Sequence, residues 1–198
     1  GGVDSLYTLW RNRRNIPLSH PGAIKDIVFV HGLDMGGTLA GGFKEENFDA
    51  VAAQFTHFAE KTGVNIILAS TNLRHLDSNA ECWLEEFQGA AMSAVAHTLS
   101  GSLSDILIAS SQDIPDLTPF GSHPLIEPHC SSFHVRIHHD GERTSRADKV
   151  KAISAWPEAM EILRVCFDGG ADQLNCGRCD KCVRTMLELL CAGNLAKA

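Results

Sequence analysis

Nowhere in its 198 residues does this chain carry an apolar run approaching the ~20 residues that a membrane-spanning helix requires. No charged-then-apolar leader precedes its first helical pattern either. Both absences lead to the expectation of a soluble, intracellular protein, with the cytoplasm as its compartment and no membrane partner. An excess of positive charge is also missing. Lys and Arg number 17 against 24 Asp and Glu, and the formal net charge of -7 argues against broad electrostatic adhesion to nucleic acid or anionic lipid. A local basic groove stays open, but small molecules are the expected partners. Internal repeats and low-complexity segments are absent. What is present is ample apolar material, 44% of residues, enough for one sizeable domain or one domain with a small appendage.

The seven cysteines are not arranged as a disulfide framework would arrange them. Their number is odd, and three of them, Cys176, Cys179 and Cys182, follow a Cys-x2-Cys-x2-Cys spacing with Cys166 ten positions upstream. Four thiolates at close range suit a tetrahedral zinc ion. They would fill its shell and leave no position for an activating water, so a structural zinc is expected. Cys82, Cys130 and Cys191 share no such spacing and read as buried or incidental thiols.

Helical and strand periods alternate along the chain. Residues 4 to about 14 place Leu6, Leu9 and Trp10 on one face, with Asp4 and Ser5 in the first turn and arginines near the end. Strands are expected at 24–31, 64–70, 105–110 and 133–137, and helices at 45–62, 83–99, 148–154, 157–166 and 184–190. Such alternation calls for parallel strands joined by right-handed crossovers, hence an α/β sandwich. The expected division is a nucleotide-binding α/β domain over 1–160 and a zinc-binding segment over 161–198 packed on it. Ligands of such sheets bind beyond the carboxyl ends of the strands, where Gly1-Gly2, 31–37, 70–73 and 110–113 would lie.

Gly1-Gly2-Val3-Asp4-Ser5 reads as a glycine turn running straight into a helix, a cradle of N–H groups suited to pyrophosphate. Asp4 could help hold magnesium, and Ser5 could add a hydroxyl donor. A plain Gly-Gly entry with an Asp/Ser helix start describes the same five residues equally well. A phosphate loop also needs a strand ahead of it, and the expectation is that such a strand belongs upstream of Gly1.

In their order these motifs resemble the PP-loop ATP pyrophosphatases. GGVDS is similar to the end of their Ser-Gly-Gly-x-Asp-Ser signature. VFVHGLDMG after the second expected strand, the small-residue helix from Gly89 leading into DILIASSQD, and Arg143-Thr144-Ser145-Arg146-Ala147-Asp148-Lys149 follow in sequence. The terminal CGRCDKCVR with Cys166 resembles the zinc site of the 7-cyano-7-deazaguanine synthase branch. The resemblance implies a Rossmann-like, HUP-type sheet and an enzyme that cleaves ATP between its α and β phosphates with Mg2+ present. A carboxylate or amide of a small molecule would be adenylated, and nitrogen transfer would follow. On the matching positions Gly1, Gly2, Val3, Asp4 and Ser5 would hold phosphates, and Val30 and His31 would lie near adenine. Arg146, where the deazaguanine enzymes carry a lysine, would neutralise phosphate charge. A solvated helix start fits residues 143–149 as well.

Residues 35–43 and 121–128 depart from the deazaguanine pattern, so a different acceptor is expected. In the second stretch His123 is the best candidate for substrate contact or acid–base work, because its titration range suits either, and Asp113 is the next. His138 and His139 should fall on opposite faces of a strand, which weakens any shared metal site. Two alternatives remain beside the ligase: a tRNA-modifying relative, and a non-catalytic nucleotide-binding or zinc interaction module. The acceptor, the nitrogen donor and the oligomeric state, a homodimer included, are open.

Overall fold

The computed structural model describes residues 2–33, 45–77, 79–166 and 175–197. Two compact units divide the chain. One comprises Gly1–Ser70 with Arg146–Ala198, and the other comprises Thr71–Ser145. Each has its own parallel strand pair and its own apolar core, so the molecule is mixed α/β.

The first unit opens with α1 (Val3–Asn15), whose apolar residues recur at helical spacing and bury Val3, Leu6, Tyr7 and Leu9. The helix stops at Ile16, extended ahead of Pro17, as a residue before proline prefers. Asn12 then organises the exit. Its side chain accepts from Ile24 N at 2.9 Å and donates to Gly22 O at 3.0 Å, leading the chain into β1 (Asp26–His31). Next come α2 (Glu45–Thr62), closed by Gly63 with φ of 66°, and β2 (Asn65–Ser70). The strands pair in parallel from Asp26↔Asn65 to His31↔Ser70. Ile27, Phe29 and Ile66 lean on the core, and Phe29 stacks between Phe48 and Phe55 of α2.

The same core takes in three helices from the far end of the chain: α5 (Arg146–Ile153), α6 (Pro157–Ile162) and α7 (Asp180–Cys191). Val150, Ile153, Ala159, Ile162 and Leu189 join Val3, Leu6, Phe55 and Phe58 in one cluster. Sequence spacing starts the last helix at 184, whereas the structure starts it at Asp180. Cys179 occupies the N-cap, so the metal motif and the helix start are one feature.

The second unit begins with a short 3-10 turn and α3 (Ala80–Cys82), capped by Asn79 accepting from Glu81 N at 2.8 Å. Five π-helical residues, Trp83–Phe87, then widen the helix before α4 (Gln88–Thr98). The cause is a backbone insertion. Gly121 N donates to Leu84 O and Gly89 N donates to Gly121 O, each at 2.8 Å, which diverts both groups from the ordinary ladder. A Cβ on Gly89 would meet Gly121 O at 2.4 Å, and one on Gly121 would meet the helix backbone at 3.0 Å.

Strands β3 (Asp105–Ala109) and β4 (Arg136–Asp140) pair in parallel. The segment joining them makes two 3-10 turns and no α-helix. Period-two character at 133–137 suggests an earlier strand than the one observed. The side chain of Ser132 accepts from the N–H groups of His134 and Val135, and Ser131 accepts from Ile137 N, folding this stretch into a turn with Phe133 97% exposed. Val135 and Ile137 keep the expected alternation and are buried.

Candidate metal centre and opening turn

The four cysteines singled out by spacing converge. The Sγ atoms of Cys166, Cys176, Cys179 and Cys182 all lie within 4.8 Å of one another. Cys166 and Cys179 are 3.7 Å apart, and Cys176 and Cys182 are 3.9 Å apart. A regular tetrahedron with Zn–S bonds of about 2.3 Å has S···S edges of about 3.8 Å. A disulfide would need about 2.05 Å, and all four cysteines are free. The cluster has the size of a tetrahedral thiolate cage and could hold a metal.

Local structure explains the convergence. Gly177, with φ of 70°, turns the chain so that the N–H groups of Arg178 and Cys179 point at the Cys176 sulfur, the latter at 3.3 Å. Those backbone donors, Arg178 first, and then the neighbouring thiols, lower the Cys176 pKa to about 6. Burial has the opposite effect on Cys182, whose thiol is pushed up to about 12. Binding a cation through Cys182 would require its thiolate, so uptake at this cluster would release protons.

Asn175 is a contributor that spacing did not reveal. Its Oδ1 accepts from Val165 N at 2.9 Å and from Cys166 N at 3.3 Å, and its Nδ2 donates to Leu163 O at 2.8 Å. One amide thus lashes the segment carrying Cys166 to the turn carrying Cys176. The signal was its place directly before the first cysteine of the triplet. Asn175→Ala is expected to weaken zinc affinity about 10-fold or more, as loss of outer-shell partners commonly does, in competition against a chromogenic chelator.

The opening turn lies in the same unit as this cluster. Gly1 lies outside the described residues. Gly2 is the N-cap of α1 and has open space around its Cα, and Leu6 N donates to its carbonyl at 3.1 Å. The Val3 side chain is core, which leaves only its backbone for a ligand. Ser5 Oγ donates to Gly2 O at 3.2 Å. The Asp4 carboxylate receives the ammonium of Lys149 at 3.2 Å, and Lys149 is only 1% exposed. Lys149 is a second residue the sequence did not single out. It sits one turn past Arg146 on α5, beside Val150 of the apolar face.

Arg146 itself turns to α7. Its Nη2 donates to Thr185 Oγ1 at 3.0 Å, and its Nε lies 3.3 Å from Glu188 Oε2. Val30 and His31 end β1, with the His31 ring 4.4 Å from that of Phe48. Residues 34–44, which include all of the 35–43 stretch expected to read substrate, lie outside the described residues.

His123 belongs to the second unit, where its Nδ1 accepts from Leu125 N at 3.1 Å. Four residues on, Glu127 is fully buried. It receives Ser122 Oγ and His139 Nδ1, each at 2.5 Å. His138 points to the other face and meets Asp105 at 3.2 Å, so the two histidines part as strand alternation requires. Cys82 is held above the ordinary thiol range by burial and by Asp77, the wrong direction for a nucleophilic thiolate.

Comparison with protein-family models, with curated proteins and with solved structures finds no match to this chain. Among the described residues, no helix is long and apolar enough to cross a membrane.

Proposed function

We propose that this chain is an ATP-dependent enzyme of the PP-loop pyrophosphatase type, with a Rossmann-like, HUP-type nucleotide fold and a structural zinc in the four-cysteine cluster. It would form AMP and pyrophosphate while adenylating a small carboxylate or amide that a nitrogen nucleophile then attacks. The observation that carries this reading is the meeting of α1 and α5: the buried Lys149 ammonium faces Asp4 in the first turn of a helix entered through glycine. Such a turn offers N–H groups and the positive end of a helix dipole to an anion.

In this reading the backbone of residues 2–5 receives the β and γ phosphates. Lys149, with the guanidinium of Arg146 on the same helix, offsets the charge that develops on the oxygen between the α and β phosphorus atoms as pyrophosphate departs. Asp4, released from Lys149 in part, would hold Mg2+, which supplies further screening of the phosphates. Val30 and His31, at the carboxyl end of β1, border the adenine. The acceptor oxygen attacks the α-phosphorus, and the adenylate so formed loses AMP to nitrogen. Cys166, Cys176, Cys179 and Cys182 would hold the zinc, and four thiolates would leave no site for hydrolytic chemistry on it.

Exchange of labelled pyrophosphate into ATP, run with a panel of small acids and Mg2+, tests the proposal. Exchange is expected with the cognate acid, and Lys149→Met is expected to lower it about 100-fold or more, the usual loss for one transition-state donor. Tight ATP binding without exchange for any acid would instead establish a non-catalytic binding module.

A further inference from the structure

We propose that Thr185 and Glu188 are positioning residues that carry the state of the cysteine cluster to Arg146 and, through α5, to the Asp4–Lys149 pair. In its consequence for nucleotide affinity this rests on the function proposed above; the mechanical link stands on geometry alone.

Helix α7 begins inside the cluster, with Cys179 at its N-cap and Cys182 in its first turn. Cys182, Thr185 and Leu189 form its buried face, at the i, i+3 and i+7 spacing that lines up one side of a helix. Thr185 Oγ1 donates to Lys181 O at 2.8 Å, so its rotor is set and its lone pairs are free to accept from Arg146 Nη2 at 3.0 Å. Glu188, one turn further, is shared between two guanidinium groups. Its Oε2 lies 3.3 Å from Arg146 Nε, and its Oε1 accepts from Arg184 Nε at 3.2 Å. Arg146 Nε and Glu188 Oε2 form an ion pair without hydrogen-bond geometry. Because a guanidinium is a rigid planar fork, the bond at Nη2 together with that charge contact restricts the direction of the rest.

Arg146 opens α5, and Lys149 on the next turn reaches Asp4 at 3.2 Å. Helix α5 packs on both α1 and α7. The contacts therefore run without a gap from a metal ligand to the opening turn, within one compact unit. A cation bound by Cys182 pins the first turn of α7. Without it the sulfurs meet one another only through thiol contacts of 3.7 to 3.9 Å, weak ones for sulfur, added to the backbone bonds of the turn such as Val183 N to Cys179 O at 2.9 Å. Coupling of this kind is reciprocal: whatever zinc does for the α5 end, the α5 end does for zinc.

The test uses the full chain, zinc ion as the probe, and amide hydrogen exchange over 146–153 and 3–9 with zinc present or removed by chelator. Zinc is expected to slow exchange in both stretches of the wild type about 10-fold. Thr185→Val and Glu188→Gln should still take up zinc, about 10-fold more weakly by chelator competition, while losing that protection. Thr185→Ser, which keeps the hydroxyl, should restore both. Failure of the wild type to bind zinc, absence of zinc-dependent protection, or full protection in both variants would overturn the proposal. A Thr185→Val chain that does not fold leaves Glu188→Gln and Thr185→Ser to decide. Measuring ATP affinity on the same samples separates the two readings. Zinc-dependent protection with no ATP binding upholds the mechanical link and sinks the nucleotide function, whereas ATP binding that ignores zinc removal overturns the consequence for nucleotide affinity.

Discussion

Chelating the metal, or replacing Cys182 with Ser, is expected to lower the melting temperature by about 10 °C and to release the C-terminal helices to proteolysis first. The magnitude follows from mass action. An ion bound only by the folded chain and present a thousandfold above its Kd contributes about 4 kcal/mol, and each kcal/mol moves the midpoint of a chain this long by about 2–4 °C. Cys182 bears this effect because it is buried and starts α7, whose Leu189 sits in the main core with Val3 and Ile153. Cys191 is the internal control. It is exposed and outside the cluster, so Cys191→Ser should leave metal content and melting unchanged. Stoichiometric zinc retained by the Cys182→Ser protein, with an unaltered melting curve, would refute the assignment of that ligand.

A second large effect is expected in the other unit. Glu127→Ala should cost about 3–5 kcal/mol in urea unfolding, read through amide exchange of β3 and β4. Glu127 has no exposed surface, and both its oxygens are taken, one by Ser122 and the other by His139, itself with a side chain only 3% exposed. Truncation leaves two buried polar groups with neither protein nor solvent to pair with, and that penalty exceeds the net worth of the bonds. Glu127→Gln keeps the shape and should cost about 1–3 kcal/mol. Replacing both partners, Glu127→Met with His139→Phe, should recover most of the loss, because apolar groups of similar volume commonly substitute well for a buried pair. If the double variant were no more stable than Glu127→Ala, the pair would not be the source of the effect. The segment containing His123 depends on this anchor, since Glu127 N donates to His123 O at 3.1 Å.

Legibility in the sequence tracked the locality of the cause. Cysteine spacing is short-range and chemically specific, and it led to a cluster of metal-site dimensions. Helix α2 carries Phe55, Phe58 and Ala59 at helical intervals and ends against Gly63, so both its span and its limit could be read directly. Strand β1 was legible for the same reason, a run of β-branched residues closed by glycine. The failures involve partners distant in sequence. The π-helical turn at Trp83–Phe87 is imposed by Gly121, more than thirty residues on, and nothing within the helix announces it. The shift of the fourth strand comes from hydroxyl groups capturing backbone donors, which apolar alternation does not register. Lys149 entered the sequence reading only as the last residue of the 143–149 motif, and only the docking of α5 on α1 makes it a buried partner of Asp4. Arg146 was chosen for its place in a motif, and its tie to Thr185 required α7 to be seen starting among the cysteines.

The interlocked backbones at Gly89 and Gly121 bear on ancestry. A methyl group on Gly89 would strike the Gly121 carbonyl, and one on Gly121 would press against the helix backbone at 3.0 Å, so the two positions are expected to vary together. Chains descended from the same precursor should therefore keep both glycines or lose them as a pair, with an ordinary α-helical register restored through residues 83–87 in those that lost them. A doublet of glycines about thirty positions apart, followed by a buried acid and a strand histidine, is thus a signature by which distant kin of this unit could be found.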